Sequence, residues 1–141
     1  MSEQAVTVAK AHLEAFNGAD WAGLRASMAG DSVYDEHGTQ RHIEGADAIV
    51  ALFKAWKTAM PDVVGTVRNV LTSGETVALE VTWQGTQTGP LETPNGTIAA
   101  SGKRQTTPGI WSIDVKEGKV QSSRQYFDML TFLQQLGAAP A

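Results

Sequence analysis

Apolar positions follow a helical rhythm in the first part of the chain and a two-residue rhythm in the rest. In the opening segment Val6, Ala9, Leu13 and Phe16 stand three or four residues apart. Ser2 can cap the start, and Asn17-Gly18 supplies a stop, which predicts one amphipathic helix. Asp20 stands where a cap belongs, ahead of Trp21, Leu24 and Met28 on one face, and Gly30 is expected to close this shorter helix. Short strands are expected over Val33 to His37 and Arg41 to Ile43, around Gly38-Thr39. Gly45 then introduces a third helix carrying Ile49, Leu52, Phe53, Trp56 and Met60, which Pro61 ends.

From Val63 to Phe127 the pattern reads strand, turn, strand. Val77, Leu79, Val81 and Trp83 alternate with Ala78, Glu80, Thr82 and Gln84, giving one buried face, and Ser73-Gly74-Glu75 marks a hairpin turn before them. Trp111, Ile113 and Val115 alternate in the same way up to a second turn at Lys116-Glu117-Gly118-Lys119, from which the chain returns through Val120 to Phe127. Between the hairpins, Thr88 to Gly102 is rich in Gly, Pro, Thr and Asn and reads as a long loop or extended hairpin tip turning at Pro94-Asn95-Gly96. Helices grouped before a meander of long strands imply an α+β domain, in which a curved antiparallel sheet wraps its concave face around those helices. The terminal run Met129 to Leu136 reads as a last helix.

Bulk properties narrow the functional classes. A chain of 141 residues has the length of one domain, taken here as 1–141, and can bury a real core. A formal charge of −4 gives no reason to expect nucleic acid or an anionic membrane surface as partner, so a small neutral or apolar ligand fits better. There is no cysteine, hence no disulfide framework and no thiolate metal site. The polar start Met1-Ser2-Glu3-Gln4 lacks the regions of a secretory signal, and no apolar run spans a bilayer, so a cytoplasmic location is expected.

Candidate chemistry gathers near the end of the last strand. Val120, Ser122, Arg124, Tyr126 and Asp128 share one face by alternation, and Val120 suggests that this face looks inward. A carboxylate entering an apolar environment is pushed toward its neutral form, where one group can take and return a proton near neutral pH. Asp128 also precedes an apolar helical run, as an ordinary N-cap does, and a full capping bond would lower its pKa instead. An inward Arg124 would need a partner, for which Asp128 is close in sequence. His37 shares a strand face with Val33 and Asp35, so that pair could orient an imidazole toward a pocket mouth. Glu36 points to the opposite face and no second histidine stands at ligand spacing, so no metal site is expected. His12 and His42 read as surface or boundary residues. Trp56, Trp83, Trp111 and Tyr126 could line one cavity for a flat, apolar ligand, with Trp83 and Tyr126 as the ligand contacts.

The order of these elements resembles the SnoaL-like polyketide cyclases of the nuclear transport factor 2-like superfamily. The resemblance is carried by Gly45-Ala46-Asp47-Ala48-Ile49, Met60-Pro61-Asp62, Trp83-Gln84-Gly85-Thr86-Gln87-Thr88-Gly89, Glu117-Gly118-Lys119-Val120, Tyr126-Phe127-Asp128 and Gln135-Leu136-Gly137. It covers nearly the whole chain. It implies a cone-shaped α+β barrel and a cofactor-free, metal-free intramolecular aldol closure of a polyketide ester. In that reaction an aspartate at the end of the last strand, matched here by Asp128, acts as general acid/base. Related sequences often carry a histidine near His37, and many read Gly-Thr-His-x-Gly where this chain has Gln87. Glutamine can donate a hydrogen bond to a developing enolate oxygen but cannot carry a proton at neutral pH. Three readings are kept. They are a cyclase or isomerase working through Asp128, a non-catalytic ligand-binding or dimerisation module, and an epoxide hydrolase for which Asp128 and Arg124 supply two parts. The superfamily commonly pairs through the outer sheet face, so a homodimer is expected, with Glu80, Thr82, Gln84 and Thr86 offering a polar surface.

Overall fold

The computed structural model describes residues 2–138, with side chains described from Glu3, so the expected Ser2 cap and the end of the Ala/Pro tail lie outside the described residues. Helix α1 (Ser2–Asn17) buries Ala5, Ala9, His12, Leu13 and Phe16, so the expected stripe holds at Ala9, Leu13 and Phe16, while Val6 is half-buried and Ala5 is buried beside it. His12 belongs to that stripe and is buried, contrary to the surface position expected of it. The short α2 (Trp21–Ala26) is capped by Asp20, whose Oδ1 accepts the Gly23 N–H at 3.0 Å. It ends before Met28, because Met28 pairs with Val120 and so opens strand β1 (Met28–Glu36); the sheet claims a residue that helical spacing assigned to the helix. Strand β2 (Arg41–Glu44) and helix α3 (Ala46–Ala59) follow, α3 burying Ala46, Ile49, Val50, Phe53 and Ala59.

The remaining chain is the expected meander, and the domain is α+β. Strands β3 (Val64–Ser73), β4 (Thr76–Thr86), β7 (Arg104–Lys116) and β8 (Lys119–Phe127) pair antiparallel in sequence. The small hairpin β5 (Leu91–Thr93) and β6 (Gly96–Ile98) folds within the Gly-rich stretch. Helix α4 (Met129–Leu136) closes the described chain. The main sheet has the order β2-β1-β8-β7-β4-β3, with β1 and β8 parallel, so it is mixed and stays open between the edges β2 and β3. Its curved inner face carries the core against α1 and α3, while the outer face is uncovered.

Which residues face inward is decided by a bulge. Along β7, Gln105, Thr107, Trp111, Ile113 and Val115 are all buried on one face. Pairing with β8 runs Val115 to Val120 but Asp114 to Ser122, so Gln121 is an extra residue without a partner in the ladder. One extra residue exchanges the faces of everything beyond it. Val120 is buried, as expected, but past the bulge the inner residues are Ser123, Gln125 and Phe127, whereas Ser122, Arg124 and Tyr126 lie outside. The inward assignment of Arg124, Tyr126 and Asp128 is thereby reversed.

Candidate functional site

Between the helices and the concave face lies a cavity of about 70 Å³, walled mainly by Phe16, Phe53, Trp56, Trp83, Trp111 and Phe132. Three of the four aromatics expected to share a cavity therefore do so, and Tyr126 does not. The polar part of the lining comes from Tyr34 and Glu36 on β1, Gln105 and Thr107 on β7, and Gln125 on β8. An engineered cavity of about 150 Å³ takes up benzene. A ring-bearing ligand thus enters here only if lining side chains move or if it extends through the mouth.

Among the described residues Glu36 is the only charged one in this lining, and its side chain is 2% exposed. One carboxylate oxygen accepts from the Tyr34 hydroxyl at 2.8 Å and from the Trp56 indole N–H at 2.9 Å, and the other from the Thr39 hydroxyl at 2.6 Å. Arg41 approaches to 4.0 Å and also donates to the Glu92 carbonyl, tying β2 to the β5–β6 hairpin. Burial first, and then the neighbouring Glu36 charge, hold the Tyr34 hydroxyl well above the ordinary tyrosine pKa, so it stays a proton donor to Glu36. The two-residue alternation of Tyr34 and Glu36 was legible. Tyr34, a large residue 1% exposed, was a better guide to the inner face than Val33 on the other side.

Beside this wall sits His12. Ser27 Oγ donates its proton to the Leu24 carbonyl at 2.6 Å, so the His12 imidazole must donate Nδ1–H to Ser27 Oγ at 2.7 Å. Burial lowers its pKa to about 3, leaving it neutral. Its ring packs on Trp111 at 5.1 Å between centroids.

The residues expected to form the site are dispersed. Asp128 is the exposed N-cap of α4, accepting from the Thr131 N–H at 3.2 Å and the Thr131 hydroxyl at 2.7 Å. Those bonds lower its pKa, the opposite of the expected desolvation shift. His37 is exposed just past β1 with its ring stacked on exposed Tyr126 at 4.6 Å, and Asp35 pairs instead with His42 at 2.6 Å. Arg124 lies on the outer face, bound to Asp114 at 2.7 Å and to Ser112 at 2.8 Å, so it is not Asp128's partner. Gln87 is fully buried outside the cavity lining. Its Nε2 faces the carbonyls of Gly89, Ile98 and Ala99, each at 3.2 Å, and its Oε1 accepts the Ser101 N–H, so it fastens the loop across Thr88 to Gly102. Trp83 alone of the six lines the cavity.

The trio Asp35, Glu36 and His37 diverges, and the surface cluster around His42 uses both imidazole nitrogens on Asp35 and Glu44. Among the described residues no group of three or more carboxylate and imidazole side chains converges as metal ligands. Among them, too, no helix is long and apolar enough to cross a membrane.

Comparison with known proteins agrees with this architecture. A protein of Jannaschia sp. CCS1 assigned to the SnoaL-like polyketide cyclases superposes with a TM-score of 0.87 at 20% identity, covering 99% of this chain and 95% of that one. A protein of Catenulispora acidiphila DSM 44928 with a ketosteroid isomerase-like fold, solved with trimethylamine, gives 0.78 at 19% identity over 94% of this chain and 93% of its own. IdmH of Streptomyces antibioticus, assigned as a polyketide cyclase, gives 0.79 at 22% identity over 95% and 99%. No curated protein matches the chain in sequence. The model of the SnoaL-like polyketide cyclase family matches residues 6–136, and the chain belongs to that family.

Proposed function

We propose that the chain is a cofactor-independent acid/base enzyme of the cyclase/isomerase type, acting on a neutral, largely apolar carbonyl compound held in the cavity, with Glu36 as the proton carrier. The observation that supports this most is the Glu36 carboxylate itself. It is a buried acceptor on the wall of an aromatic cavity, oriented by Tyr34, Thr39 and Trp56. In such surroundings a proton taken from the carbon next to a carbonyl is held close by and can be returned to another atom of the same ligand, as ring closure or isomerisation requires. The cavity walls bring reacting carbons together and keep water out. In this reading Asp128 caps α4, and Gln87 shapes the rim. A second copy packs on the outer sheet face, where Ile110 and Tyr126 stay exposed.

A β-keto ester is the smallest fragment of a polyketide chain, so ethyl acetoacetate in deuterated buffer is the probe, with exchange at the acidic carbon followed by NMR. Wild type is expected to accelerate exchange. Glu36→Gln removes on the order of 10²–10⁴ of that acceleration, while Asp128→Asn leaves it intact. Loss in Asp128→Asn with Glu36→Gln unaffected would return the role to Asp128. The second reading, a plain binding module, is favoured by the three donors that already occupy Glu36. It requires that wild type leave exchange at background.

A further inference from the structure

Two buried polar atoms among the described side chains have no hydrogen-bond partner: the indole nitrogen of Trp111 and the amide oxygen of Gln125. Both residues line the cavity, and they are 1% and 6% exposed. Buried polar groups are nearly always paired, because the water they gave up must be replaced. Two such orphans side by side on the lining, a donor beside an acceptor, are where a bound polar group would be satisfied.

The sheet register places them together. Trp111 and Gln125 are directly opposed on β7 and β8, and Gln125 is in turn beside Glu36 on β1. Neighbouring strands lie about 4.8 Å apart, so carboxylate, amide and indole form one row across three strands of the inner face. The indole nitrogen only donates and the amide oxygen only accepts. One group that satisfies both must accept and donate through the same atom, which a neutral hydroxyl or enol oxygen does. A carboxylate would set an acceptor against the amide oxygen and bring a second carboxylate beside Glu36, and a ketone alone would leave Gln125 unmatched.

We propose that Trp111 and Gln125 form a subsite for one uncharged hydroxyl or enol oxygen of the ligand, one strand away from Glu36. The proposal rests on the reading of the cavity as the ligand site, and it narrows the substrate class to hydroxylated or enolised apolar compounds.

Phenol and toluene test it, being of nearly one size and differing in the hydroxyl. An apolar cavity prefers toluene, because phenol must give up the water on its hydroxyl. Titrations of the full chain with each are followed by the nitrogen-15 and proton resonances of the Trp111 indole, assigned with Trp111→Phe. Phenol is expected to bind at least as tightly as toluene and to move the indole proton downfield, which toluene does not. Gln125→Met is expected to weaken phenol about fivefold or more and to leave toluene unchanged. It serves as the independent variant should Trp111→Phe fail to fold. Tighter toluene binding in wild type, or an indole proton already downfield in the free protein and unmoved by phenol, overturns the subsite and leaves the cavity reading standing. Failure of both probes to bind overturns the two together. A loss of exchange catalysis with the phenol preference intact would instead count against the proposed reaction alone.

Discussion

Two carboxylates, one on each face of the same sheet, are held by nearly the same inventory of donors in opposite surroundings. On the outer face Asp114 accepts from Thr76 at 2.7 Å, Ser122 at 2.5 Å and the Arg124 guanidinium at 2.7 Å. Its pKa falls to about 2, with Arg124 the largest cause. On the inner face Glu36 also accepts from hydroxyls and an N–H, but its guanidinium stays 4.0 Å away and the space beside it is aromatic. A contact ion pair in partial solvent fixes a charge and makes it inert. A carboxylate oriented by neutral donors faces the cavity without a contact cation. Hydrogen-bond count alone does not describe a carboxylate's surroundings; what lies on its open side does.

The two carboxylates are expected to differ most in what their loss costs the fold. Glu36→Leu takes their carboxylate acceptor from Tyr34, Thr39 and Trp56 and is expected to cost about 3–5 kcal/mol in urea unfolding. Asp114→Leu, whose partners can turn to water, is expected to cost about 1 kcal/mol. Equal costs would mean that the inner cluster is no more desolvated than the outer one.

Acid titration separates the faces next. His12 has a folded pKa of about 3 against 6.5 when unfolded. Below pH 6.5 the unfolded chain takes up a proton that the folded one refuses, so stability falls as pH drops. The slope from this group is up to about 1.4 kcal/mol per pH unit, and it should disappear in His12→Leu when unfolding is followed from pH 7 to 5.

Asp114 gives the smallest effect. Its depressed pKa contributes stability that is present above its unfolded value of 3.8 and is lost as pH falls toward 2. With the side chain one-third exposed, the loss is expected to stay below about 1 kcal/mol and to shrink further in high salt.

The helices and hairpins were legible because their signals are local: the stripe on α1, the Asp20 cap and the turn at Glu117-Gly118 need no knowledge of the rest. The faces were not. Asp35 and Glu36 do lie on opposite sides of β1, as alternation requires, but which side is inner depends on where β1 lies in the sheet. On β8, alternation counted from Val120 fails two residues later, because Gln121 bulges out of a register that only pairing with β7 defines. Aspartate before an apolar run was a cap signal from the start, and the cap is what formed. The polar role of Gln87 was visible in its residue type, but its target, the backbone of a loop that folds over it, was not.

The extra residue in β8 acts as a phase shifter between two alternative linings written in one strand. With it, the chain presents Ser123, Gln125 and Phe127 to the interior. Drawing Gln121 into a regular ladder would hand that place to Ser122, Arg124 and Tyr126, a hydroxyl, a cation and a phenol, whereas deleting Gln121 would remove the bulge and leave the lining as it is. One strand sequence thus carries two interiors, and a shift of pairing by one residue selects between them.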